Sequence, residues 1–198
     1  MIVSHKHKFV FIKTRKTAGS SIEAILYPIL GENDICSGSS RDGTPNLNYG
    51  KDLTGHMPFS QLSVAYPKAM QKYFVFTVER NPWDKCVSAF YWHKKIKPNL
   101  TKQGFNQYLH DAEPMLPTDW AYYGGTKTHV FKYEELSQFI PFMNDKFKLD
   151  LDPALMYNTR KKSGIRETEH YRDMYDEESK LFVENLFHKE IKEFGYEF

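Results

Sequence analysis

Nine consecutive residues near the start of the chain, Lys13-Thr14-Arg15-Lys16-Thr17-Ala18-Gly19-Ser20-Ser21, carry three cations and four hydroxyls. They follow an apolar run, KFVFIK at 8–13, and lead into a segment where Ile22, Ile25, Leu26, Ile29 and Leu30 recur at helical spacing. A helix start presents unpaired amides and a partial positive charge, which suits an anion of the phosphate or sulfate type. Gly19 permits close backbone approach, Thr17, Ser20 and Ser21 add hydroxyl donors, and Lys16 adds a full charge. The plainer alternative is that Ser20 caps the helix and the lysines are solvated. A Walker A loop is excluded by residue order, because its lysine follows the glycine whereas Lys16 precedes Gly19.

A second strand-to-helix turn lies in VFTVERNPWDKCVSAFYW, residues 75–92. Arg80 stands at the strand end, and Lys85 and Ser88, three residues apart, share a helix face. Arg80, Lys85 and Ser88 are therefore candidates to converge on a second anion. The alternative pairs Arg80 with Asp84 as a structural brace. Two anion sites on strand ends imply a ligand with two separated phosphate-type groups, since α/β sheets bind ligands at the carboxyl ends of their strands.

The two motifs together resemble those of the sulfotransferases, particularly the branch that includes carbohydrate sulfotransferases. Lys16-Thr17-Ala18-Gly19-Ser20-Ser21 is similar to that family's loop for the 5′-phosphosulfate of 3′-phosphoadenylyl sulfate (PAPS). Arg80-Asn81-Pro82-Trp83-Asp84, with Ser88 and Tyr91, is similar to its 3′-phosphate motif. Gly55-His56-Met57-Pro58 looks like a histidine motif between the two, and HVFKYEEL and LFHKEIKEFGYEF look like the family's third strand and final helix. Two positions depart from the pattern, with Arg15 where proline is common and Lys13 where histidine is common.

The resemblance implies a P-loop-like sulfotransferase fold and sulfuryl transfer from PAPS, with adenosine 3′,5′-bisphosphate (PAP) as product. The acceptor is a hydroxyl or amine of a small molecule or, as the leading expectation, a glycan. Lys16 would stabilise the leaving phosphate. Arg15 and residues 17–21 would hold the 5′ end, and Arg80 and Ser88 the 3′-phosphate. A base needs a pKa near working pH, so His56 is the candidate and Glu23 the alternative. The basic stretch at 158–172 offers Arg160, Lys161, Lys162 and Arg166 as further phosphate contacts. Tyr91, Trp92, Trp120, Tyr122 and Tyr123 are candidates to stack on a sugar or base. No metal is expected: His5 and His7 alternate on what reads as a first strand, without a carboxylate or cysteine cluster. The rival classes are a non-catalytic nucleotide or sulfated-ligand module, and an ATP-dependent kinase on a related fold.

These groups need a scaffold, and the rest of the chain outlines one. Residues 73–79 form the strongest strand, and Pro82 opens a helix to about Ile96. A shorter helix follows at 104–111, and a strand at 128–133. Glu134–Phe147 reads as a helix interrupted by Pro141. In 176–194, Leu181, Phe182, Leu186, Phe187 and Ile191 define one amphipathic helix. Strands alternating with helices predict an α/β domain spanning 1–198, with a mainly parallel sheet and a long irregular loop at 31–58.

A net charge of +2 over 198 residues is too small for nucleic acid as a main partner. Two cysteines without CxxC spacing favour a reducing compartment. With neither a membrane-length apolar run nor a signal-peptide core, the expectation is a cytoplasmic protein.

Overall fold

The computed structural model describes residues 1–37, 55–159 and 170–198. Among them the elements run β1 (Ile2–Ser4), β2 (Phe9–Phe11), α1 (Gly19–Leu26), β3 (Ile35–Cys36), α2 (Phe59–Ala65), α3 (Pro67–Lys72), β4 (Phe74–Glu79), α4 (Pro82–Ile96), α5 (Phe105–Asp111), α6 (Trp120–Tyr123), β5 (His129–Lys132), α7 (Phe139–Phe147), α8 (Leu155–Asn158), α9 (Glu177–Leu186) and α10 (His188–Phe194). They fall into two compact units, Met1–Glu79 with Ala121–Lys161, and Arg80–Trp120 with Lys162–Phe198.

The first unit holds an open mixed sheet in the order β3-β1-β2-β4-β5. β2–β4 and β4–β5 are parallel, whereas β1 pairs antiparallel with both β2 and β3. The α/β class is as expected, and the parallel half contains the strands that carry both motifs. The sheet has two faces, and both are covered. Ile2, Phe9, Phe11, Phe76 and Val78 pack with Ile22, Ile25 and Leu26 of α1 and Phe139, Ile140 and Met143 of α7. Their neighbours Val3, Val10, Ile12 and Val75 point the other way, onto Leu62 of α2 and Ala69 and Met70 of α3. Burial on both faces explains why FVFI is apolar throughout and FVFTV is broken only by Thr77, rather than either alternating.

Several local readings change. His5 and His7 do not lie on a strand, because β1 ends at Ser4 and residues 5–8 form the turn into β2. Asp34 holds that turn, accepting from Ser4 Oγ at 2.6 Å and from the amides of His5 and Lys6. Pro141 does not interrupt its helix. It is the third residue of α7, inside the first turn, where a missing N–H breaks no helical bond.

The second unit gathers Trp83, Cys86, Val87 and Phe90 of α4 with Phe105, Tyr108 and Leu109 of α5 and Val183 and Phe187 near the chain end. The expected final helix is two helices, broken at Phe187, whose φ of −108° and ψ of 23° leave the helical region. Val183 and Phe187 are the buried apolar residues there, while Leu181 is 56% exposed. Both cysteines are buried, and neither is in a disulfide. Burial pushes the Cys86 thiol up to about 12, which makes it an inert core residue. Among the described residues no helix is long and apolar enough to cross a membrane.

Candidate active site

The turn between β2 and α1 is built from backbone first. Lys16 and Ala18 have φ of 63° and 62°, a left-handed conformation that side-chain-bearing residues seldom adopt. Alternating hands of this kind turn successive N–H groups toward one side of a loop, the arrangement that binds anions. Ala18 stands at the N-cap of α1, and among the described residues no side chain caps that helix. Ser21 and Ile22 amides donate back to Ala18 O at 2.9 and 3.1 Å. The first turn thus opens on the amides of Gly19 and Ser20, and the plainer alternative, in which Ser20 caps the helix, does not hold because Ala18 is the N-cap residue. Gly19 has a packing reason of its own: a Cβ there would meet Lys13 Cγ at 2.7 Å. The hydroxyl of Thr17 points inward, 2.8 Å from Thr14 Oγ1. Its side chain is therefore part of the loop's framework, and its amide is the group it can offer to a ligand.

His56 is brought to this loop. Its Nδ1 lies 2.9 Å from Lys13 O. A carbonyl oxygen can only accept, so Nδ1 carries the proton and the neutral ring keeps its lone pair on Nε2, the form a general base requires. The orienting partner is a backbone carbonyl, a group every residue has, so no sequence pattern announces it. Glu23 competes poorly for the same task. Its carboxylate accepts from the Met1 ammonium, from Lys13 Nζ at 2.5 Å and from Ser37 Oγ at 2.8 Å. Burial works to raise its pKa, but the Met1 and Lys13 ammonium groups and their hydrogen bonds outweigh it and hold the carboxyl below the usual range.

Because the folded pKa is depressed, the stability Glu23 contributes is present above the ordinary carboxylate range and is lost as pH falls toward the folded value. Glu23→Gln is expected to cost about 3 kcal/mol at neutral pH by leaving buried ammonium charge uncompensated. It should also flatten the acid limb of a stability-versus-pH curve measured by urea unfolding. An unchanged acid limb would show that Glu23 does not govern it.

The second turn belongs to the second unit. Asn81 caps α4, accepting from the amides of Trp83 at 3.1 Å and Asp84 at 3.4 Å, and Pro82 follows at the first helical position. The Arg-Asn-Pro order is thus a strand end, a cap and a helix start in succession, and an Asn-Pro pair before a helix is a readable cap signal. With its leading amides engaged by Asn81, this helix start contrasts with that of α1, and an anion here must be held by side chains. Arg80 is buried and forms the brace anticipated as the alternative, with Nε and Nη2 at 2.8 and 2.6 Å from Asp84 Oδ2. That pairing uses one edge of a guanidinium with five donors and fixes its plane. Lys85 does not join Arg80 and Ser88. It is fully buried and sits 3.2 Å from Asp119, which is equally buried. Ser88 is half-buried on α4.

Of the aromatic candidates, Tyr91 is a core residue of the second unit, its hydroxyl 3.7 Å from Met174 Sδ. Tyr123 is buried and donates to Glu79 Oε2 at 2.6 Å. Trp92, Trp120 and Tyr122 are half-buried. Arg160, Lys161, Lys162 and Arg166 lie outside the described residues, as does most of the 31–58 loop. Among the described residues no three His, Cys, Asp or Glu side chains are grouped as a metal site.

A protein-family model described as "Sulfotransferase family" matches residues 1–150, the stretch that contains both turns and His56. Searches of curated proteins and of solved structures returned no match.

Proposed function

The chain belongs to the sulfotransferase family, and from that premise we propose that it moves a sulfuryl group from PAPS to a hydroxyl or amine acceptor, with a carbohydrate as the favoured class. The observation that carries this reading is the start of α1, which no side chain among the described residues caps, reached through a loop in which Lys16 and Ala18 are left-handed. It has the donor set that a 5′-phosphosulfate calls for: amides, hydroxyls and one ammonium.

When bound, PAPS supplies the sulfuryl group and a phosphate leaving group. The chain's own residues do the rest. Lys16 offsets the charge that grows on the leaving phosphate oxygen as its bond to sulfur breaks. The amides of Gly19 and Ser20, with the Ser20 and Ser21 hydroxyls, orient the 5′ end, and Arg15 adds charge at its rim. His56 Nε2 accepts the acceptor's proton as the new oxygen–sulfur bond forms. Arg80 and Ser88 hold the 3′-phosphate and so discriminate against ATP, which lacks one. Arg160, Lys161 and Arg166 extend that grip.

A thermal-shift comparison tests the reading. PAP at a hundredfold excess over its Kd should raise Tm by about 5–10 °C, and ATP hardly at all. The reverse order would end the sulfotransferase assignment in favour of a kinase.

A further inference from the structure

We propose that Thr14 is a positioning residue, whose hydroxyl pins the Lys16 loop to strand β4. Thr14 is 1% exposed, and its Oγ1 lies 2.5 Å from Val78 O and 2.8 Å from Thr17 Oγ1. Proton counting gives these contacts a direction. Val78 O can only accept, so the single Thr14 proton goes to it. The Thr17 hydroxyl must then donate to Thr14 Oγ1, with Thr14 O a second acceptor at 3.2 Å. The result is a directed chain from Thr17 through Thr14 to the β4 backbone.

The register of the sheet explains why a hydroxyl is needed there. β2 pairs in parallel with β4, Phe11 facing Phe76, and the ladder continues with Ile12 N donating to Phe76 O at 2.8 Å. The next parallel rung would run from the amide of Thr14 to Val78 O. Instead the Thr14 side chain takes that carbonyl. Its hydroxyl completes the ladder while its backbone departs from it, and two residues later the chain enters the left-handed conformation of Lys16. A neighbouring hydroxyl ties in the end of β2: Thr77 Oγ1 donates to Ile12 O at 2.8 Å and lies 3.4 Å from Thr14 Oγ1. Ile12 is thus held by Thr77 and Lys13 by His56 and Glu23, and the Thr17–Thr14–Val78 chain ties the next part of the loop to β4. Valine in place of Thr14 would match the shape and lose both bonds.

The consequence for Lys16 rests on the sulfotransferase reading, whereas the consequence for the loop does not, and the test separates them. Hydrogen exchange of the ligand-free protein is measured for amides 15–19, and PAP affinity by calorimetry, in wild type, Thr14→Val and Thr14→Ser. Thr14→Val should speed exchange across the loop by roughly tenfold and weaken PAP by roughly 10–100-fold, the range seen when an orienting partner is lost at metal sites. Thr14→Ser keeps the hydroxyl and should restore both. If Thr14→Val does not fold, Thr14→Ala takes its place in both measurements. Unchanged exchange in Thr14→Val, or a Thr14→Ser variant as impaired as Thr14→Val, overturns the inference. Wild type that fails to bind PAP overturns the sulfotransferase reading, and the exchange result alone then decides for or against the pin.

Discussion

Lys16→Ala is expected to lower the rate of label transfer from PAPS to a panel of glycans and small alcohols by about 10²–10³-fold or more. The charge it removes matters most when negative charge is building on the departing phosphate oxygen, and less while the donor is simply bound. PAP affinity should therefore fall much less than turnover. Alanine is the informative replacement because it keeps a Cβ at a position whose φ is 63°. Glycine would relax the left-handed backbone as well as remove the ammonium, and so confound the two effects. Activity within tenfold of wild type would remove Lys16 from the mechanism.

The second large effect belongs to His56. His56→Asn retains an amide N–H that can still reach Lys13 O, the partner of Nδ1 at 2.9 Å, but it has no lone pair at the Nε2 position. Turnover should fall by about 10²–10⁴-fold with PAP affinity and Tm near wild type. The pH profile offers a separate check. A neutral imidazole is the active form, so wild-type kcat/KM should decline as pH falls through the ionisation of the histidine. In His56→Asn the residual rate should lose that acid limb. A variant that keeps both its rate and its limb would return the base assignment to another group.

The two turns differ in a way that bears on how each would hold an anion. The start of α4 has its amides engaged by Asn81, and Arg80 is braced by Asp84. That turn therefore presents an oriented guanidinium rather than an open helix end. At α1 the opposite holds, because among the described residues no side chain caps the helix start.

The same contrast shows how far residue order could be read. Pattern alone located both turns, because strand, polar turn and helix follow from local periodicity and from Pro82 at a helix start. The polar residues that pack inward were not legible. Lys85 shares a face with Ser88 on a helical wheel, yet its ammonium is buried against Asp119, thirty-four positions away. Thr17 reads as a ligand hydroxyl, but its side chain is committed to Thr14. The split of the final helix at Phe187 has no glycine or proline to signal it, and Phe187 is fully buried.

By itself, then, the order of residues determined the α/β class, the two strand-to-helix turns and the polar groups placed on them. Those depend on interactions within a few positions along the chain, where spacing is geometry. Only the tertiary structure decided which of those groups are committed elsewhere, which tautomer His56 adopts, and that two of the five strands run antiparallel to their neighbours. Each of these depends on a partner distant in sequence, and a carbonyl or a buried carboxylate leaves no periodic trace of where it will be met.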